Sequence, residues 1–150
     1  MTVQPVPDGY QAVIPYLLVE GATELIPFLE QAFGAREMGR IPRPDGRMAH
    51  AELRIEDSVV MLGEPMGEFP STPGMIFLYV ADCDAVYARA LEAGGTSVME
   101  VTHMHHAGER YGGVQDPCGN VWWIGTHVED LSWEEQARRA AGLAEQNPDA

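Results

Sequence analysis

The chain has 150 residues, 45% of them hydrophobic, with two cysteines and a formal net charge of −14. That length suits one folded domain that buries a sizeable core without disulfide staples. Nine arginines and no lysine against 23 acidic residues argue against binding a phosphate backbone or an anionic membrane, and favour a neutral or cationic small ligand.

Residues 1–10 hold Pro5, Pro7 and Gly9 but neither a basic region nor an apolar one, so no secretory leader is expected. No apolar run approaches the roughly eighteen residues of a spanning helix. A soluble cytoplasmic protein with reduced Cys83 and Cys118 is the expectation. Residues 12–20 form a near-continuous apolar run with β-branched members and read as a strand. After Gly21, Leu25, Phe28, Leu29, Ala32 and Phe33 recur at helical spacing up to Gly34, with Pro27 near the start. Strands follow at 36–42, 48–56 and 59–63, separated by Arg43-Pro44-Asp45-Gly46 and Asp57-Ser58. Residues 64–74 contain three prolines and two glycines and read as a linker.

The same order then returns. A strand at 74–81 leads to a helix at 82–93 with Val86, Ala90 and Leu91 on one side, stopped by Gly94-Gly95. A strand at 97–101 precedes a loop at 103–108 that carries His103, His105 and His106. Strands at 111–115 and 121–126 are joined by Asp116-Pro117-Cys118-Gly119-Asn120, where Pro presets φ and Gly and Asn tolerate positive φ. Trp122 and Trp123, adjacent in a strand, must point to opposite faces. Ser132-Trp133-Glu134-Glu135 is a capping box that opens a C-terminal helix. An offset of 61 residues places Val19 on Val80 and Gly34 on Gly95, which marks a duplicated β-α-β-β-β unit. The expected organisation is a domain at 1–130, made of module 11–63, linker 64–74 and module 75–130, with a helix and tail at 131–150.

The stretch Arg110-Tyr111-Gly112, Asp116-Pro117-Cys118-Gly119-Asn120-Val121-Trp122 and Thr126-His127-Val128-Glu129-Asp130 resembles the vicinal-oxygen-chelate superfamily of glyoxalase I, bleomycin-resistance proteins and extradiol dioxygenases, and within it the PhnB-like branch. The resemblance implies an α+β fold in which two βαβββ modules form a curved mixed sheet around a cleft, with helices outside. It also implies a homodimer, since many such proteins build the cleft between subunits. A fold of this kind does not name a reaction.

Metal-dependent members of that superfamily take His, Glu or Gln ligands from the first and last strand of each module. Those places fall here on Ile14, Met61, Met75 and Trp123, with matching separations of 47 and 48 residues. None is an imidazole or a carboxylate, so neither a metal nor another cofactor is expected. Continued by period two, the same face carries Tyr16, Phe77 and Tyr79, an aromatic and methionine lining suited to a flat or bulky organic molecule. On the third strand His50, Glu52 and Arg54 alternate with apolar residues, either as ligand anchors on the cleft face or as an ordinary solvated strand face, with Glu109, Arg110 and Tyr111 at the matching place in the second module. His50 and Glu52 also suit acid/base work, with Glu52 orienting the imidazole.

Three functions follow. The first is a metal-free small-molecule-binding protein that resembles the bleomycin-resistance type and holds an aromatic or cationic compound. The others are a glyoxalase-like metal-dependent lyase, isomerase or dioxygenase, and a metal-independent enzyme using His50 and Glu52. Two imidazoles and a carboxylate around His103, His105 and His106 could hold a metal elsewhere, though a mobile loop over the cleft is the favoured reading of that segment.

Overall fold

A computed structural model describes residues 2–147; of the expected tail, residues 148–150 lie outside the described residues. The elements run β1 (Tyr16–Leu18), α1 (Ala22–Phe33), β2 (Arg36–Pro42), β3 (Met48–Ile55), β4 (Ser58–Gly63), β5 (Met75–Tyr79), α2 (Cys83–Glu92), β6 (Thr96–Met104), β7 (Glu109–Gln115), β8 (Val121–His127) and α3 (Trp133–Gln146). They build two mixed four-stranded sheets with the same topology, β1-β4-β3-β2 and β5-β8-β7-β6, each with one parallel pair. The fold is α+β, and the duplication extends to register. Tyr16, Met61 and Glu52 lie in one row, and Phe77, Trp123 and Gly113 in its counterpart.

Alternation decides the core. Leu17, Val19, Ala51, Leu53, Ile55, Val60 and Leu62 from one sheet, and Val114, Trp122 and Ile124 from the other, are buried in a cluster shared with α1 and α2. The two helices pack on each other. Trp122 stacks on Phe33 of α1 with centroids 4.9 Å apart, so the modules are joined through apolar contact rather than through a sheet hydrogen-bond ladder.

The first strand is shorter than its apolar run. Strand β1 begins at Tyr16, since Pro15 has no N–H to give a ladder, although its carbonyl still accepts from Met61 at 3.0 Å. The linker covers the free edge of β1: Thr72 N–H donates to Leu18 O at 2.7 Å, which occupies backbone that would otherwise be open to another strand. Helix α3 is capped as read, with Ser132 Oγ accepting from Glu135 N–H at 3.1 Å. No residue of α3 is buried, and it is held by Arg139, which bonds Glu129 and the His105 carbonyl.

Glu64 ties the end of β4 to its surroundings. Its carboxylate accepts from Thr23, Met48 N–H and Arg47. Burial pushes its carboxyl up, but those donors prevail and the group is lowered from its ordinary value. Its contribution to stability is therefore present above the ordinary carboxylate range and lost as pH falls through the lower folded value. Glu64→Gln should weaken the protein at neutral pH and flatten the acid limb of urea-denaturation midpoints measured between about pH 5 and about pH 3. An unchanged acid limb would remove Glu64 from this role.

Candidate functional site

The Asp116-Pro117-Cys118-Gly119-Asn120 turn sets the aim of β8. Asp116 Oδ1 accepts from Cys118 N–H and Asn120 N–H, at 2.9 and 3.0 Å, and Oδ2 accepts from Asn120 Nδ2 and Trp122 Nε1, both at 2.8 Å. With the Trp122 indole locked inward at 1% exposure, the next residue, Trp123, must face the other way. There it joins Tyr111, Phe77 and Tyr79 in a continuous set of edge and tilted ring contacts at 5.9, 5.7 and 4.9 Å. Two glycines form the floor. A Cβ on Gly113 would lie 2.7 Å from the Trp123 ring, and one on Gly125 would lie 2.6 Å from Phe77, so only glycine lets these rings lie flat on the sheet. Met75, Phe77 and Tyr79 remain 69%, 43% and 56% exposed, an apolar surface open to a ligand or to another subunit.

The bowl ends in acid. Tyr79 Oη donates to Glu109 Oε1 at 2.9 Å, and His127 bridges Glu109 at 3.0 Å and Asp130 at 2.7 Å. Glu109 Oε2 is buried with no hydrogen-bond partner among the described residues. Glu56, Tyr79, Glu109, Thr126 and His127 line a cavity of about 690 Å³. The His127 imidazole is raised above its ordinary value, first by its bond to Asp130 and then by that to Glu109. Its favourable charge is thus present at low pH and lost as pH rises through the folded value. Its NMR titration midpoint should lie above the ordinary value of about 6.5 and should fall in Asp130→Asn; an unchanged midpoint would discount the Asp130 bond.

On the first module, β3 alternates as its sequence requires, and His50, Glu52 and Arg54 share the face opposite the core. The N-terminal segment lies across this face. Arg54 donates to Gly9 O at 3.0 Å, Gln11 bonds both backbone groups of Val59, and Tyr10 donates to Glu52. Arg54 is therefore engaged with the chain itself. His50 Nε2 bonds Glu52 Oε2 at 2.7 Å and His50 Nδ1 bonds Tyr16 Oη at 3.0 Å. Tyr10, Met38, Arg40, Ile41, His50 and Glu52 line a cavity of about 400 Å³. Reading the sequence did not single out Tyr10, because contact across 42 residues leaves no local pattern.

Other candidates separate from these faces. Ile14 is half-buried just ahead of β1. Arg110 points to the helix side and pairs bidentately with Asp84 at 2.7 and 2.8 Å, while Glu109 and Tyr111 share the opposite face. The expected 103–108 loop is a tight hairpin turn: His103 and Met104 belong to β6, and Met104 O accepts from Ala107 N–H and Gly108 N–H. Among the described residues no three His, Cys, Asp or Glu side chains converge as a metal site. The four positions that carry ligands in metal-dependent relatives offer only aliphatic, thioether and indole groups, so these residues do not fit the metal that such proteins use.

Two like four-stranded sheets built from a duplicated βαβββ unit, one of them with an exposed aromatic face, are the architecture that places the chain in a class. Residues 12–124 match the glyoxalase/bleomycin resistance protein/dioxygenase superfamily, and the chain belongs to that superfamily. Uncharacterized proteins of Mycobacterium bovis and Mycobacterium tuberculosis are each 38% identical over 135 residues, covering 83% of this chain and 88% and 79% of their own lengths. The crystal structure of TioX from Micromonospora sp. ML1 has a similar fold, with TM-score 0.67 and 22% identity over 79% of this chain and 99% of that one. A glyoxalase/bleomycin resistance protein/dioxygenase family enzyme from Burkholderia phytofirmans is also similar, with TM-score 0.63 and 18% identity over 77% and 97%. No helix among the described residues is long and apolar enough to cross a membrane.

Proposed function

We propose that the chain is a small-molecule-binding protein of the bleomycin-resistance kind, which holds a flat, positively charged organic ligand without a metal. The observation that carries this reading is the set Phe77, Tyr79, Tyr111 and Trp123 on its glycine floor, joined through the Tyr79 hydroxyl to the Glu109 carboxylate. Ring faces attract cations, and the Glu109 carboxylate beside them adds negative charge at the same end of the sheet. The net charge of −14 draws such ligands toward the protein.

The exposure of Met75, Phe77 and Tyr79 supports a homodimer in which a second copy closes the cleft. Two free cysteines, one buried and one half-buried, suit a reducing cytoplasm. The PhnB-like resemblance of the turn is compatible with a binding role. Titration with proflavine, a planar cation, should quench Trp123 fluorescence, whereas the planar anion fluorescein should not. Equal quenching by both dyes would remove charge from the reading, and no quenching by either would remove the site.

A further inference from the structure

The first module holds an ordered chain of polar groups that ligand binding on the second module does not use. Glu52 accepts from Tyr10 Oη at one oxygen and meets His50 Nε2 at the other. These bonds, His50 first, hold the Glu52 carboxyl below its ordinary value, so it is ionised and can only accept. His50 Nε2 is then the donor to Glu52, and the other ring nitrogen, Nδ1, faces Tyr16 Oη at 3.0 Å, the side from which a hydroxyl proton can pass to the ring. Gly63 permits this approach: a Cβ there would lie 3.1 Å from Tyr16 Oη and 3.0 Å from Ala49 O. Tyr16 is 48% exposed, and polar networks open to water add little to stability, so folding alone gives no reason for the arrangement. Beside it, Tyr16, Leu18, Ala49, Glu64, Met66 and Phe69 line a mostly apolar cavity of about 290 Å³.

We propose that Glu52, His50 and Tyr16 form a carboxylate–imidazole–hydroxyl relay in which Tyr16 Oη accepts an acyl group from small apolar aryl esters. Nucleophile, base and orienting group stand in the order that hydroxyl activation requires. As Tyr16 Oη bonds to the ester carbonyl carbon, its proton passes to His50 Nδ1, and the C–O bond to the aryl group breaks with its electron pair leaving on the aryl oxygen. The aryloxide takes the proton from His50. Water then repeats the sequence, giving its proton to His50 and its oxygen to the acyl carbon, and Tyr16 is released with its hydroxyl restored. The charge on each imidazolium is held by Glu52, and no metal or redox partner enters. Tyr16 and His50 are catalytic here; Glu52 and Tyr10 are positioning residues.

The test is p-nitrophenyl acetate with the full-length protein. A burst of p-nitrophenolate should accompany one acetyl group on the peptide that contains Tyr16. The chain has no lysine to compete for the acetyl group, and labelling of its thiols and imidazoles is subtracted with denatured protein. Tyr16→Phe should abolish the burst. Glu52→Gln should lower kcat by about a hundredfold with KM unchanged, and imidazole should restore acylation to His50→Ala. Thermal melts of each variant separate loss of chemistry from loss of fold. An acetyl group on any other residue, an undiminished burst in Tyr16→Phe, or failure of imidazole to rescue a folded His50→Ala would overturn the relay. The proflavine response of Trp123 is read separately and does not depend on it.

Discussion

Asp116→Ala is expected to lower stability by about 3–5 kcal/mol, the largest effect of any single polar change in this chain. The side chain is 4% exposed and receives four hydrogen bonds within one turn and the strand after it. Its removal strands the Trp122 indole N–H and the Asn120 amide in an apolar core, and each buried orphan costs about 1–3 kcal/mol. Asn120 carries the effect further, since its Oδ1 accepts from Gly74 N–H at 2.8 Å where the linker enters β5. Trp122→Phe removes only one of these bonds while keeping most of the ring, so it should cost less than Asp116→Ala. Urea denaturation of the two variants is the check. A loss below about 1 kcal/mol for Asp116→Ala would mean that water replaces the carboxylate, and that the turn does not hold β8 as described.

Trp123→Ala should weaken binding of a planar cation by about 2–3 kcal/mol, roughly 30- to 150-fold, while leaving the melting temperature nearly unchanged. The two effects separate because the ring lies half-exposed over Gly113, outside the buried cluster that joins the modules. Its neighbour Trp122 should behave in the opposite way. Truncated to Ala, Trp122 leaves a cavity against Phe33 and costs about 3–5 kcal/mol of stability. Calorimetric titration of both variants with proflavine tests the pair. Full affinity in Trp123→Ala would place the ligand away from the aromatic bowl, whatever its fluorescence response.

Much of the fold was legible because its signals are local. The Trp122-Trp123 pair announced one inward and one outward ring, and the offset between Gly34 and Gly95 announced the duplication. On β3 the alternation of Ala51, Leu53 and Ile55 with His50, Glu52 and Arg54 assigned both faces before any contact was known. Boundaries were less legible: the apolar run at 12–20 says strand, yet the ladder starts after Pro15. The histidine segment looked loop-like by composition, but His103 pairs with Arg110 in β6 and β7, since cross-strand partners outweigh local propensity.

For this protein the residue pattern alone determined the element order, the two faces of β3 and β8, the duplication and the aromatic character of one exposed face, because these follow from periods of two and 3.6 along the chain. Only the tertiary structure decided that Tyr10 reaches Glu52, that Arg54 and Arg110 are occupied by Gly9 and Asp84, that Glu109 keeps an oxygen without a donor among the described residues, and that Tyr16 meets Nδ1 of His50. Each of these joins groups 26 to 45 residues apart, or depends on a partner that never arrives. Such outcomes are set by how sheets and connecting segments lie against one another, which the order of neighbours in sequence does not encode.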